Sequence, residues 1–238
     1  MTIVPKHSPF IIAIDGPAGS GKTTTAKALA RELGFLYIDT GAMYRAVALF
    51  ALDRGVREFT PATICPLLPD VRIRLERVDG NQRTLLNGVN VEDRIRTQEM
   101  SRAASDISVI SCVREAMVNL QREAAVDCDG AILEGRDIGT VVFPDSPCKI
   151  FLVADVETRA RRRRLQLEQL GIPADEDTIR REIEERDAND STREHSPLRK
   201  SRDAIEVETT NTTIDEQVTM ILGLVRKRID QFQKGQLS

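Results

Sequence analysis

At 238 residues, with 41% hydrophobic and 30% charged side chains, the chain can bury a full core as one large or two small domains without disulfides or structural metal. Seven Phe, two Tyr and no Trp leave Ile, Leu, Val and Ala to fill that core, and argue against a binder that stacks bases on aromatic platforms. A net charge of −3, from 34 Lys+Arg against 37 Asp+Glu, gives no overall attraction to nucleic acid or to an anionic membrane.

Phe10–Asp15 (FIIAID) is an apolar run ending in Asp-Gly and reads as a buried parallel strand. A Gly-rich turn follows, and Lys22–Leu33 has helical spacing up to Gly34, a C′ glycine. Phe35–Ile38 is a second strand closed by Asp39-Thr40-Gly41, and Ala42–Arg54 a second helix ending at Gly55. Strand, helix, strand, helix at this spacing predicts an α/β fold with a mainly parallel sheet flanked by helices. Val71–Val78 then alternates apolar and charged residues, Asp79-Gly80 is a turn, and Thr84–Leu86 and Val89–Val91 flank the hairpin signal Asn87-Gly88. This is a small antiparallel insertion between two halves of the α/β domain. Thr97–Asp127 reads as two helices broken near Ser108–Ser111, and Ala131–Leu133 and Lys149–Ala154 as buried strands. Arg159–Leu170 and Asp177–Ala188 are charged helices separated by Gly171-Ile172-Pro173. Ala204–Val207 is a short strand and Ile214–Gln231 an amphipathic closing helix, with loose ends expected at residues 1–8 and 234–238.

The four Cys (Cys65, Cys112, Cys128, Cys148) stand 47, 16 and 20 residues apart without paired ligand spacing, and the only His are His7 and His195. A zinc site is not expected; four free thiols in a reducing cytoplasm are. No apolar run reaches the roughly 18 residues of a membrane span, and Met1–Ser8 lacks a signal-peptide apolar stretch. The expected localisation is cytoplasmic.

Gly16-Pro17-Ala18-Gly19-Ser20-Gly21-Lys22-Thr23 matches G-x-x-x-x-G-K-[ST]. Glycines let successive backbone N–H groups turn inward on phosphate oxygens, and the helix beginning at Lys22 adds its positive end. Lys22 is placed to reach the β- and γ-phosphates, and the Thr23 hydroxyl to ligate Mg²⁺. A chance Gly-rich turn is the bland alternative. Its odds are on the order of 1 in 100 at average residue frequencies, and the position between a strand and a helix lowers them. The motif alone fits a GTPase, an ATPase or a small-molecule kinase. No N-K-x-D guanine-reading segment occurs. Asp39-Thr40-Gly41 and Glu134-Gly135-Arg136-Asp137 fall with the P-loop at predicted strand ends, where ligands sit in open α/β sheets.

The runs IDGPAGSGKTT, IDTGAMYRA, IRTQE, EGRDIGTVVFPD and EERDANDSTR, from about residue 10 to 230, resemble the signature segments of bacterial cytidylate kinase, a P-loop nucleoside monophosphate kinase. The resemblance implies one domain over 1–238, with an acceptor-binding insertion at about 61–95 and a mobile helical lid at about 158–190. It implies transfer of the γ-phosphoryl of MgATP to CMP or dCMP in pyrimidine metabolism, by a monomer without nucleic-acid or membrane partners. ATP would be held by Gly16 to Thr24, Thr24 included, and by Arg159, Arg162 and Arg163. Arg45, Arg136 and Arg193 would contact the acceptor phosphate, with Lys22, Arg136 and Arg193 catalytic. Thr40 would lie beside the acceptor, although capping the helix at 42–54 explains it equally well. Asp137 would face cytosine N4 with Arg114 and Ser105 alongside; its alternative is a Mg²⁺-side carboxylate. Arg186 and Asp190 would hold the ribose hydroxyls.

The stretch Arg159–Arg164 (RARRRR) has two readings, a nucleic-acid patch or a lid helix closing over ATP. The second is favoured because acids follow closely and helical spacing gathers Arg159, Arg162 and Arg163 on one face, with Leu165 and Leu170 nearer a core. Arg161 and Arg164 are expected to be merely solvated. Glu134 stands where many relatives carry Asp, one methylene longer, which weakens a metal role there. The competing functions are another small-acceptor kinase (UMP/CMP, dephospho-coenzyme or shikimate kinase) and a non-catalytic nucleotide sensor.

Overall fold

The computed structural model describes residues 9–78, 81–126, 128–169 and 171–235. The expected Asp79-Gly80 turn, the place of Leu170, and residues 1–8 and 236–238 lie outside these. Strand β1 (Phe10–Asp15) leads through the P-loop into α1 (Lys22–Leu33), followed by β2 (Leu36–Asp39) and α2 (Thr40–Asp53). A short α3 (Pro61–Ile64) and a 3-10 turn at Cys65–Asp70 precede β3 (Ile73–Val78), β4 (Asn81–Leu86) and β5 (Val89–Asn90). Helices α4 (Gln98–Ile107) and α5 (Ser111–Ala124) return the chain to β6 (Gly130–Gly135), a π-helical turn at Ile138–Val142, and β7 (Cys148–Val153). The chain closes with α6 (Val156–Gln169), α7 (Glu176–Thr192), β8 (Ile205–Glu208) and α8 (Ile214–Gln233).

The main sheet is parallel throughout, in the order β2-β6-β1-β7-β8, and β3-β4-β5 form a separate antiparallel sheet. Successive strands therefore lie on both sides of β1, which opens a crevice at the strands' carboxyl ends. The register pairs Asp15 with Gly135 and Asp39 with Glu134, so three chemistry-bearing strand ends lie abreast.

All six residues of β1 are buried because both sheet faces are covered. Ile12 and Ile14 pack with Leu29 of α1 and with Ile221 and Val225 of α8. Ile11 and Ala13 face Leu133, Ile138 and Val142. A second large cluster joins α2, α4 and α5 to the insertion through Phe50, Leu86, Val91, Ile95 and Ile107. The insertion is also fastened to the main sheet, where the Asp39 N–H donates to Gln82 Oε1 at 2.9 Å. Ala160 and Leu167 of α6 and Ile179 and Ile183 of α7 form a small core of their own. No helix among the described residues is long and apolar enough to cross a membrane.

Three expectations are corrected. Cys65 and Cys112 form a disulfide across Cα atoms 5.9 Å apart, so the chain does not carry four free thiols; Cys128 and Cys148 are not disulfide-bonded. Sequence spacing misses this pair because the α5–Cys65 contact is tertiary, across 47 residues, and cysteine usage then no longer argues for a reducing compartment. Leu165 is exposed, and Leu167 is buried in its place, because α6 meets α7 along the narrow stripe of Ala160 and Leu167. The cap of α2 is Asp39, whose side chain accepts from the Ala42 N–H at 2.9 Å, and Thr40 is the helix's first residue.

Candidate active site

The P-loop needs two of its glycines outright. A Cβ on Gly16 would stand 2.3 Å from the Leu152 carbonyl oxygen, and one on Gly21, at φ +89, would stand 2.9 Å from the Gln217 amide. Lys22 is buried, and its ammonium donates to the Pro17 carbonyl at 2.5 Å and faces Ser20 Oγ at 3.4 Å. Burial and the neighbouring Arg136 pull its pKa well below the usual lysine value, with Glu134 opposing. Thr23 Oγ1 donates to Glu134 Oε2 at 2.9 Å, and the Tyr37 hydroxyl donates to Glu134 Oε1 at 2.5 Å. Burial and the nearby Asp39 raise the Glu134 pKa. A hydroxyl beside a carboxylate is a hard-oxygen pair suited to Mg²⁺, which takes one or two protein oxygens and completes its shell with phosphate and water. No cluster of three or more His, Cys, Asp or Glu able to cage a metal exists among the described residues. Thr24 is exposed in the first turn of α1.

Beside the P-loop the structure gathers the arginines expected at the acceptor. Arg136 Nε donates to Asp190 Oδ2 at 2.7 Å, and Arg193 Nη1 reaches Asp190 Oδ1 at 3.5 Å. Arg45 Nη2 donates to Asp39 Oδ2 at 3.1 Å, and Arg96 Nη1 to the same oxygen at 2.6 Å. Burial pushes the Asp39 carboxyl up, but Arg45 and Arg96 outweigh it and bring the pKa down to about 2. Burial and the adjacent Arg136 push Arg186 down to about 10. Buried guanidinium nitrogens on Arg45 (Nε), Arg114 (Nε), Arg186 (Nε) and Arg193 (Nη2) have no hydrogen-bond partner in the structure. A buried donor left unmatched costs about 1–3 kcal/mol, so these nitrogens are open to further hydrogen-bond acceptors.

Asp137 lies under this cluster, buried and paired with Arg114 Nη2, with Arg193 Nη2 at 4.0 Å from its other oxygen. Arg114 Nη1 donates to the Ser108 carbonyl at 3.0 Å and so spans the break between α4 and α5. Ser105 stands half-buried one turn earlier, its carbonyl accepting from Ser108 Oγ at 2.8 Å. The Thr40 hydroxyl donates to the Glu134 carbonyl at 2.6 Å, tying the first turn of α2 to the end of β6.

The arginines of α6 are dispersed. Arg159 is buried and donates to the carbonyls of Ala18 (3.1 Å) and Ala154 (3.0 Å) and to Asp187. Asp187 also accepts from the Ala18 N–H at 3.1 Å, so both backbone groups of that P-loop residue are engaged by α6 and α7. Arg162 donates to the Thr209 carbonyl at 2.5 Å, beyond β8. Arg163 bonds Gln166 at 2.7 Å and lies within electrostatic reach of Glu182 and Arg45. Arg161 is exposed, whereas Arg164 is not merely solvated: it pairs with Glu168 and Glu176.

The sequence reading gave no role to Asp15, Tyr37, Arg96 and Asp187, and named Asp39 only within a strand-end loop beside the P-loop. Asp15 and Asp39 share a detectable signal, an acid closing an apolar strand immediately before a Gly-bearing turn. Tyr37 has none, because its partner lies 97 residues away, and Asp187 lies inside the EERDANDSTR run but its bond to the P-loop spans 169 residues.

A family model described as Cytidylate kinase matches residues 12–227. The Cytidylate kinase of Lactobacillus gasseri is 48% identical over 217 residues, 91% of this chain and 94% of that protein. That of Caldicellulosiruptor saccharolyticus is 46% identical over 218 residues, covering 92% and 96%. The solved structure of a gluconokinase from Sinorhizobium meliloti 1021 aligns over 96% of this chain and 99% of its own, with a TM-score of 0.49 and 13% identity.

Proposed function

This chain belongs to the cytidylate kinase family and is an ATP-dependent kinase acting on CMP and dCMP; within that activity, we propose that the crevice at the carboxyl ends of β1, β6 and β2 holds both nucleotides. The observation that carries this reading is the set of buried guanidinium nitrogens without partners on Arg45, Arg186 and Arg193, with Arg186 and Arg136 within electrostatic reach of the P-loop lysine. Several like-charged oxygens meet when donor and acceptor phosphates approach, and fixed cations offset that repulsion.

In this reading, Gly16 to Thr24 cradle the triphosphate, and Lys22 bridges its terminal phosphates. Thr23 and Glu134 hold Mg²⁺, which when bound neutralises charge on the donor phosphates. Arg45, Arg136 and Arg193 grip the acceptor phosphate in bidentate fashion, which fixes the attacking oxygen in line with the γ-phosphorus. That phosphate is already largely dianionic at neutral pH, since its second pKa is about 6, so no strong general base is required. Arg186 and Asp190 hold the ribose. Asp137 accepts from cytosine N4, while uracil would set a carbonyl oxygen against the same carboxylate and leave both unpaired. Helices α6 and α7 act as a lid that excludes water, and the 61–95 insertion supports the acceptor side. A cytoplasmic, monomeric enzyme without nucleic-acid partners completes the proposal.

The test is ADP release from ATP across CMP, dCMP, UMP, AMP and shikimate, in wild type and Arg45→Ala. CMP and dCMP should dominate, and Arg45→Ala should raise the CMP KM at least about tenfold, the loss expected for a charge-assisted contact, while the ATP KM moves little. An unchanged CMP KM in the variant would remove Arg45 from the acceptor site.

A further inference from the structure

Asp15 ends β1 immediately before the P-loop, is 4% exposed, and has no part in the phosphate or base contacts above. Each oxygen of its carboxylate accepts from one of two successive backbone amides. The Ile138 N–H donates to Oδ1 at 2.9 Å and the Gly139 N–H to Oδ2 at 2.8 Å. These amides directly follow Arg136 and Asp137 and begin the π-helical turn at Ile138–Val142. The approach is close: a Cβ on Gly139 would lie 3.4 Å from Asp15 Oδ2 and 3.2 Å from the Lys149 stem.

We propose that Asp15 is a positioning residue for substrate selectivity, fixing the Asp137 carboxylate and thereby the discrimination of cytosine from uracil. The inference rests on the reading that Asp137 faces cytosine N4. A carboxylate presents two acceptors to two donors, and that match holds the turn in one place. An Asn turns one acceptor into a donor facing an N–H, so one amide is left buried and unmatched, and a protonated Asp leaves one amide with only a weak hydroxyl acceptor. The turn then relaxes and Asp137 shifts with it. Burial pushes the Asp15 pKa up to about 6, with the Gly139 and Ile138 amides opposing; Asp137 in the turn raises it further and Lys22 of α1 lowers it. The Lys149 ammonium of β7 is turned away, onto the Pro144 carbonyl and Asp203. A weakening of one acceptor therefore occurs in the unmodified enzyme as pH falls through about 6.

The experiment measures kcat/KM for CMP and UMP at saturating ATP between pH 8 and 5.5, in wild type, Asp15→Asn and Asp137→Ala. The acceptor phosphate titrates alike in both substrates and cancels in the CMP:UMP ratio. Asp15→Asn should lower that ratio by about tenfold, the cost of one buried unmatched amide, with the ATP KM nearly unchanged. The wild-type ratio should narrow as pH falls through about 6, whereas the Asp15→Asn ratio stays low and flat. If Asp137→Ala loses selectivity while Asp15→Asn keeps it, or raises the ATP KM alone, the positioning role is overturned and the reading of Asp137 stands. If Asp137→Ala keeps its preference for CMP, that reading fails and takes the inference with it. Should Asp15→Asn not fold, the wild-type profile decides, and a ratio constant from pH 8 to 5.5 overturns the proposal.

Discussion

Asp39 concentrates three tasks in one side chain: it caps α2, and it accepts from Arg45 and from Arg96. The pairing with Arg45 orients a guanidinium whose Nε remains buried without a partner, so a structural bond prepares the group proposed to bind the acceptor. The cost of burying Asp39 is overcome by the two arginines, which lower its pKa from an ordinary 3.8 to about 2. A depressed carboxyl stabilises the fold above its unfolded pKa, and the contribution disappears as pH falls through the folded value. The shift from 3.8 to about 2 corresponds to about 2 kcal/mol at pH 7. Asp39→Asn should therefore lower the stability at pH 7 by at least about that much, since it also leaves two arginines unpaired. The deficit should begin to shrink below about pH 4 and be largely gone near pH 2. Urea unfolding of both proteins across that range checks it, and a deficit independent of pH would show that the charge of Asp39 does not carry the loss, since Asn preserves the cap.

The disulfide links the 3-10 turn after α3 to the first turn of α5, two residues before Arg114. It closes a separation of 47 residues, for which chain entropy gives about 4 kcal/mol as an upper figure. Reductant should lower the urea midpoint of the wild type and leave a Cys65→Ser, Cys112→Ser double variant unmoved; equal midpoints for the wild type with and without reductant would contradict a stabilising bond. Whether an element was legible in the sequence depended on how local its cause is. The Asn87-Gly88 hairpin was readable because its turn needs positive φ at both residues, 49° and 83°, and those residue types supply it. The β1–α1–β2–α2 run was readable because each apolar segment ends at its own Asp or Gly. Leu165 was misjudged because the buried stripe of α6 is set by α7, not by α6's own pattern. The site divides along the same line. The phosphate cradle is a local motif, whereas the arginine roles came through resemblance. The acids that hold those arginines, and the Asp15 bond to the turn, exist only once distant strands are abreast.

At the scale of the molecule, the proposed lid is fastened at both ends. Asp187 and Arg159 bind the two backbone groups of Ala18 in the P-loop. Further along α7, Glu182 accepts from Gln98 Nε2 at 2.5 Å and from Arg102, both on α4. Helices α6 and α7 thus link the P-loop to α4 while keeping a separate small core, as suits a body that moves as a unit. The two attachments differ in depth. The side chains of Arg159 and Asp187 are 9% and 19% exposed, whereas Arg102 is 66% exposed, so water screens the α4 end more strongly. Opening should begin at Glu182, where the bonds are weakest, with Asp187 as the hinge-side contact. Glu182→Ala should raise the CMP KM about two- to fivefold, in keeping with a partly exposed ion pair. It should also raise ATP hydrolysis relative to CMP phosphorylation, because a lid less often closed admits water. ADP release with and without CMP, compared with CDP formed, measures both quantities. An unaltered hydrolysis ratio together with an unaltered CMP KM would mean that Glu182 only decorates the surface of α7, and that closure is governed from the P-loop end.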